Sequence, residues 1–111
     1  MTDIERKRGD TYADERVIID KETGLPIDIT GWTFLLTVDP SDAPADSANN
    51  IMQITGVITD AAGGVVEFAP SSLQADSTPG AYWFDIEYTD ATSRKRTIET
   101  GRYVIKQDIT K

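Results

Sequence analysis

Asp85 and Glu87 stand two residues apart in Tyr82-Trp83-Phe84-Asp85-Ile86-Glu87-Tyr88, the spacing that puts two carboxylates on one face of a β-strand. Paired carboxylates are the minimum for acid/base work on a glycosidic bond. Nothing around them suggests a sugar cleft, and they read as ordinary acids on a solvated strand face. Asp39, Asp42 and Asp46 offer the hard oxygens that calcium prefers. They lack the alternate-position aspartates, the glycine at the sixth place and the glutamate at the twelfth that a calcium-binding helix-loop-helix requires, so they read as solvated loop carboxylates. The chain has neither cysteine nor histidine, which removes disulfides, thiolate zinc sites, the commonest metal ligand and both Ser-His-Asp and Cys-His catalysis. The residue types therefore argue against an enzyme, and no catalytic, cofactor-binding or metal-binding residue is assigned.

Three surface features remain. Arg8-Gly9-Asp10 matches an adhesion tripeptide, but three residues carry little specificity, and Gly9 is explained by a bend beside a first strand. Arg94-Lys95-Arg96 reads as a solvated hairpin turn, being far short of a basic groove with stacking aromatics. Trp83 falls among Asp85, Glu87 and Thr89 on the polar side of its strand. A large exposed ring there is costly unless covered, so Trp83 is expected to pack under a loop or to join a subunit contact. Trp83, Arg94, Lys95 and Arg96 are the candidate assembly residues.

The elements that position these groups are strands. Tyr82, Phe84, Ile86 and Tyr88 alternate with polar residues, as do Trp32, Phe34, Leu36 and Val38 with Thr33, Leu35 and Thr37. Turn residues recur at Glu22-Thr23-Gly24-Leu25-Pro26, Pro40-Ser41-Asp42-Ala43-Pro44, Ala61-Ala62-Gly63-Gly64, Thr78-Pro79-Gly80 and Asp90-Ala91-Thr92-Ser93. Between them lie seven candidate strands, at 4–8, 14–20, 32–39, 51–60, 65–69, 80–89 and 95–106, the last two forming a long hairpin. The expected fold is an all-β, immunoglobulin-like antiparallel sandwich of about seven strands, a single domain over residues 1–111. Trp32, Phe34, Leu36, Ile54, Phe68, Tyr82, Phe84 and Ile86 are expected inside. Ser71 to Asp76 makes at most one helical turn, and Asp39 to Asn50, without a large apolar anchor, reads as a surface loop. The apolar phase changes between Ile98 and Tyr103, which places a β-bulge at Gly101.

The net charge of −8 is unevenly spread: residues 1–8 carry +1, residues 9–90 carry −13 and residues 91–111 carry +4. An acidic body repels phosphate backbones, so nucleic acid is not an expected partner. Basic ends facing an acidic flank suit head-to-tail docking of copies or neighbours, unless these charges serve solubility alone. No run of about 18 apolar residues is present, so no membrane span is expected, and the polar start shows no export signal.

Arg8-Gly9-Asp10-Thr11, Gly24-Leu25-Pro26-Ile27-Asp28-Ile29-Thr30-Gly31-Trp32, Gly80-Ala81-Tyr82-Trp83-Phe84-Asp85-Ile86 and Arg96-Thr97-Ile98-Glu99-Thr100-Gly101-Arg102-Tyr103-Val104-Ile105 resemble, in that order, small immunoglobulin-like proteins of bacteriophage and prophage structural clusters. These include the N-terminal domain of phage baseplate upper proteins. The similarity covers nearly the whole chain except Asp39 to Asn50. Gly80-Ala81-Tyr82 also resembles the tyrosine corner of immunoglobulin domains, with Phe84 where antibody domains place a cysteine and Asp76 displaced to six residues before the tyrosine. The resemblance implies a virion component of tail, baseplate or head, made in the host cytoplasm. Its partners would be other virion proteins and further copies of itself, with no small-molecule ligand. The alternative is a carbohydrate- or receptor-binding module in which exposed Trp83 and Tyr103 rings serve as platforms.

Overall fold

Alternation along the chain becomes burial in the computed structural model, which describes residues 2–40 and 50–107. Phe34, Leu36 and Val38 of β3 (Thr33–Asp39) point inward, as do Phe84 and Ile86 of β7 (Gly80–Thr89) and Tyr103 and Ile105 of β8 (Lys95–Lys106). β3 pairs with β4 (Met52–Thr55) on one side and β7 on the other, and β8 continues the sheet beyond β7. β1 (Thr2–Lys7) closes this five-stranded sheet in the order β1-β8-β7-β3-β4. A second sheet, in the order β2-β6-β5, is built from β2 (Asp14–Val17), β5 (Val57–Asp60) and β6 (Val65–Phe68). Val66 and Phe68 of that sheet meet Phe34, Leu36 and Ile86 of the first, and the facing apolar layers form the core of an all-β sandwich. The strand order is that of a variable-type immunoglobulin domain, with β2-β6-β5 in the places of B-E-D and β8-β7-β3-β4 in those of G-F-C-C′.

Six of the eight expected core residues are buried: Phe34, Leu36, Ile54, Phe68, Phe84 and Ile86. Trp32 and Tyr82 are half-buried against the core, because each lies at an end of the sandwich where the opposite sheet no longer covers it. Tyr82 donates its hydroxyl to the Thr78 carbonyl at 2.6 Å, forming the expected tyrosine corner.

Three details differ from the sequence reading. The expected strand at 51–60 is two strands in two sheets, joined at Gly56. A Cβ there would lie 2.8 Å from Phe34 Cβ and Val66 Cγ2, so only glycine lets the chain cross between the sheets at this point. The antiparallel scheme also has an exception, since β1 runs parallel to the second half of β8, from Thr2 opposite Gly101 to Lys7 opposite Lys106. Parallel neighbours need a long connection, and here almost the whole chain supplies it. Finally, the bulge sits at Ile98. Register steps from Ile86–Glu99 to Glu87–Thr97, which leaves Ile98 as the extra residue, whereas Gly101 stays in regular register with Phe84. A bulge with its first residue near the right-handed helical region needs no glycine.

The hairpin between β5 and β6 does use one. Gly64 has φ +70°, and a Cβ on it would lie 2.7 Å from the Ile18 carbonyl oxygen. Helix α1 (Ser72–Ala75) is the expected single turn, closed by a capping box between Ser71 and Gln74.

Candidate functional site

Side chains of the five-stranded sheet that point away from the core form an outer face across β1, β8, β7, β3 and β4. Trp83 stands near its centre, between Arg102 on β8 and Asp39 on β3. Its ring is half-buried, and the Arg102 guanidinium carbon lies 5.7 Å from the ring centroid. Such a contact contributes about 0.5–1 kcal/mol at an exposed position. Leu35 and Val104 add half-buried apolar surface to the same face. Asp85, between Thr37 and Thr100, and Glu87 lie here too. Partial burial, followed by the nearby Glu87 charge, raises the Asp85 pKa above the usual carboxylate range.

Asp39 is buried and accepts a hydrogen bond from Asn50 Nδ2 at 2.6 Å, while Asp42 and Asp46 lie outside the described residues. Among the described residues no group of three or more acidic side chains is placed to hold a metal ion.

Arg94, Lys95 and Arg96 are exposed where the β7–β8 hairpin turns, apart from Trp83. The turn is organised by Asp90, whose Oδ1 accepts hydrogen bonds from the Arg94 and Thr92 N–H groups and from the Thr92 hydroxyl. These bonds hold the Asp90 pKa below the usual range, the Arg94 N–H being the largest cause. Arg8-Gly9-Asp10 is tied to the body: Arg8 Nε lies 3.0 Å from Asp76 Oδ1, and the Gly9 N–H bonds the Ala75 carbonyl at a bend with φ +91°. Tyr103, one of the two rings weighed as a glycan platform, is only 1 % exposed, and burial pushes its phenol up to about 12.

Two cross-sheet ion pairs carry no local sequence signal. Arg6 on β1 is 4 % exposed and donates to Asp14 Oδ2 on β2 at 2.7 Å, to the Asp10 carbonyl at 3.1 Å and to the Tyr12 carbonyl, with the Tyr12 ring stacked 3.8 Å away. Arg16 on β2 grips Glu99 on β8 with two bonds, of 2.9 and 3.0 Å. Glu99 in turn raises the Arg16 pKa further.

Beyond the Arg16–Glu99 pair the two sheets part, and a cleft of about 790 Å³ opens. One side is the segment from Arg16 to Glu22, the other runs from Arg96 to Glu99, and Ile27, Trp32 and Tyr88 complete the lining. Trp32 and Tyr88 are stacked at 4.6 Å. Alternation placed Trp32 and Tyr88 with the core, and the opening beside them follows from the short span of β2, which ends at Val17 where a strand to residue 20 was expected.

The N-terminal domain of phage TP901-1 ORF48 has a similar structure, with a TM-score of 0.53 and 16 % sequence identity over 93 % of this chain and 83 % of that one. The likeness is one of fold. No protein-family model matches the chain, and no curated protein does. Among the described residues no helix is long and apolar enough to cross a membrane.

Proposed function

We propose that the chain is a non-enzymatic structural module of a phage or prophage virion, part of a tail, baseplate or head-associated assembly, and that it acts through protein-protein contacts. The observation that carries this reading is the outer face of the five-stranded sheet. There a half-buried tryptophan, an arginine 5.7 Å from its ring centre and a partly desolvated carboxylate share one surface. Aromatic and arginine side chains are the types that anchor interfaces. The fold likeness to a phage protein domain supports the same reading. Trp83 is the anchor, and Arg94, Lys95 and Arg96 supply a basic tip for the acidic flank of a neighbouring virion protein or a second copy. The glycan-binding alternative loses Tyr103, which the core encloses.

Sedimentation in low and high salt tests the proposal, for the wild type alone and mixed with the products of adjacent genes. Trp83→Ala is expected to abolish association. Reversing Arg94, Lys95 and Arg96 to glutamate is expected to remove only its salt-dependent part, because exposed charges are screened beyond about 8–10 Å at physiological ionic strength. Unchanged complexes in both variants would overturn the assembly role of these residues.

A further inference from the structure

β8 is twelve residues long, but β1 covers only Gly101–Lys106. Along Lys95–Thr100 the β8 edge that faces away from β7 has no backbone partner among the described residues, and β2 pairs only with β6. The cleft lies between these two free edges. It also gathers exposed apolar surface: Val17, Ile19 and Ile98 are three of the seven large hydrophobic residues that the described chain leaves exposed, and all three line it. We propose that the cleft takes one extended strand of another protein, in line with β1 and parallel to β8. Its side chains are apolar at alternate positions, with a carboxylate beside Arg96.

Each part of the assignment has its own support. The ladder that β1 begins at Thr2–Gly101 has six further β8 residues to run along, and main-chain hydrogen bonds to a free edge are how extended peptides dock. The apolar requirement follows from the Trp32–Tyr88 stack and Ile98. The carboxylate follows from charge. Arg16 and Glu99 neutralise each other, and Asp20 accepts the Glu22 and Thr23 N–H groups of its own turn, whereas Lys21 and Arg96 have no acidic partner among the described residues. Glu22 is the one uncommitted acid of the lining, and Arg94 and Lys95 add to the positive side next to Arg96. A second copy fits poorly, because its edge strands each bring a whole sheet, and a slot flanked by both β2 and β8 admits a single strand. This proposal does not depend on the role of the outer face.

The test titrates isotope-labelled full-length protein with the peptide acetyl-Glu-Thr-Val-Thr-Ile-Thr-amide. Amide exchange at Lys95–Thr100 is expected to slow and the Trp32 indole resonance to shift, while Trp83 stays unchanged. A peptide with proline in place of valine is expected not to bind. Arg96→Glu, at an exposed position, is expected to weaken binding about ten-fold or more, since a hydrogen bond to a charged group is lost. A peptide beginning with lysine is expected to restore it. Three results would each overturn the proposal: no slowing at Lys95–Thr100 with millimolar peptide, shifts centred on Trp83 and Arg102, or concentration-dependent slowing without peptide, which would give the slot to a second copy.

Discussion

A guanidinium as buried as that of Arg6 is tolerable only while Asp14 and two carbonyls face it. Asp14→Ala leaves that charge uncompensated and is expected to cost about 3–5 kcal/mol in urea unfolding, with part of the loss recovered when Arg6→Met is added. The outward-facing pair Lys106–Glu5, at 3.5 Å and well solvated, contributes at most about 1 kcal/mol. Asp85 works in the opposite direction. Its pKa is raised in the fold, so the native state binds that proton more tightly than the unfolded chain, and the carboxyl contributes less to stability as pH rises through the carboxylate range. Asp85→Asn is therefore expected to raise the melting temperature at pH 7, with the gain shrinking toward pH 3. A gain of equal size at both values would show that the effect is not electrostatic. Neither Arg6 nor Asp85 announces its environment in the sequence. Arg6 reads as one of several basic residues at a polar terminus, and its partner is supplied by a strand of the other sheet.

At the scale of elements, strands were legible because burial on one face imposes a period of two, and β3, β6, β7 and β8 keep that period closely enough to be read directly. The crossing at Gly56 was not legible for the same reason. Met52, Ile54, Gly56 and Ile58 stay in phase through it, so nothing in the alternation marks the change of sheet. The glycine alone records it. Gly56→Ala is expected to force Phe34 and Val66 apart and to lower stability by about 1–3 kcal/mol, measured by thermal or urea unfolding. No loss would mean that the two sheets separate more easily than the close packing implies. The bulge was legible as a phase change but not as a position, because the apolar residues at 98 and 103 bracket it and Gly101 is the conspicuous residue between them. Of the candidate site, Trp83 was visible as a large ring out of phase with its face. The Trp32–Tyr88 cleft was hidden, since aromatic residues at strand ends look like core until the opposite sheet is seen to stop short.

Over the whole molecule, the first and last strands are neighbours: β1 and the second half of β8 lie side by side and point the same way. That arrangement decides how the module bears load. Tension applied between Thr2 and Lys106 draws β1 backward and β8 forward along each other, so the rungs of the pair are sheared together. Tension applied at Lys7 and Lys106, which face each other across the pair, peels the same rungs in turn. The chain has no cysteine, so thiol handles can be placed at either pair of sites without competition. Single-molecule pulling is expected to give a clearly higher rupture force for the Thr2 and Lys106 handles than for Lys7 and Lys106, and equal forces would exclude a shear clamp. A module strung between neighbours by its two ends would then meet strain with its strongest geometry, and would yield first wherever the pull arrives from the side.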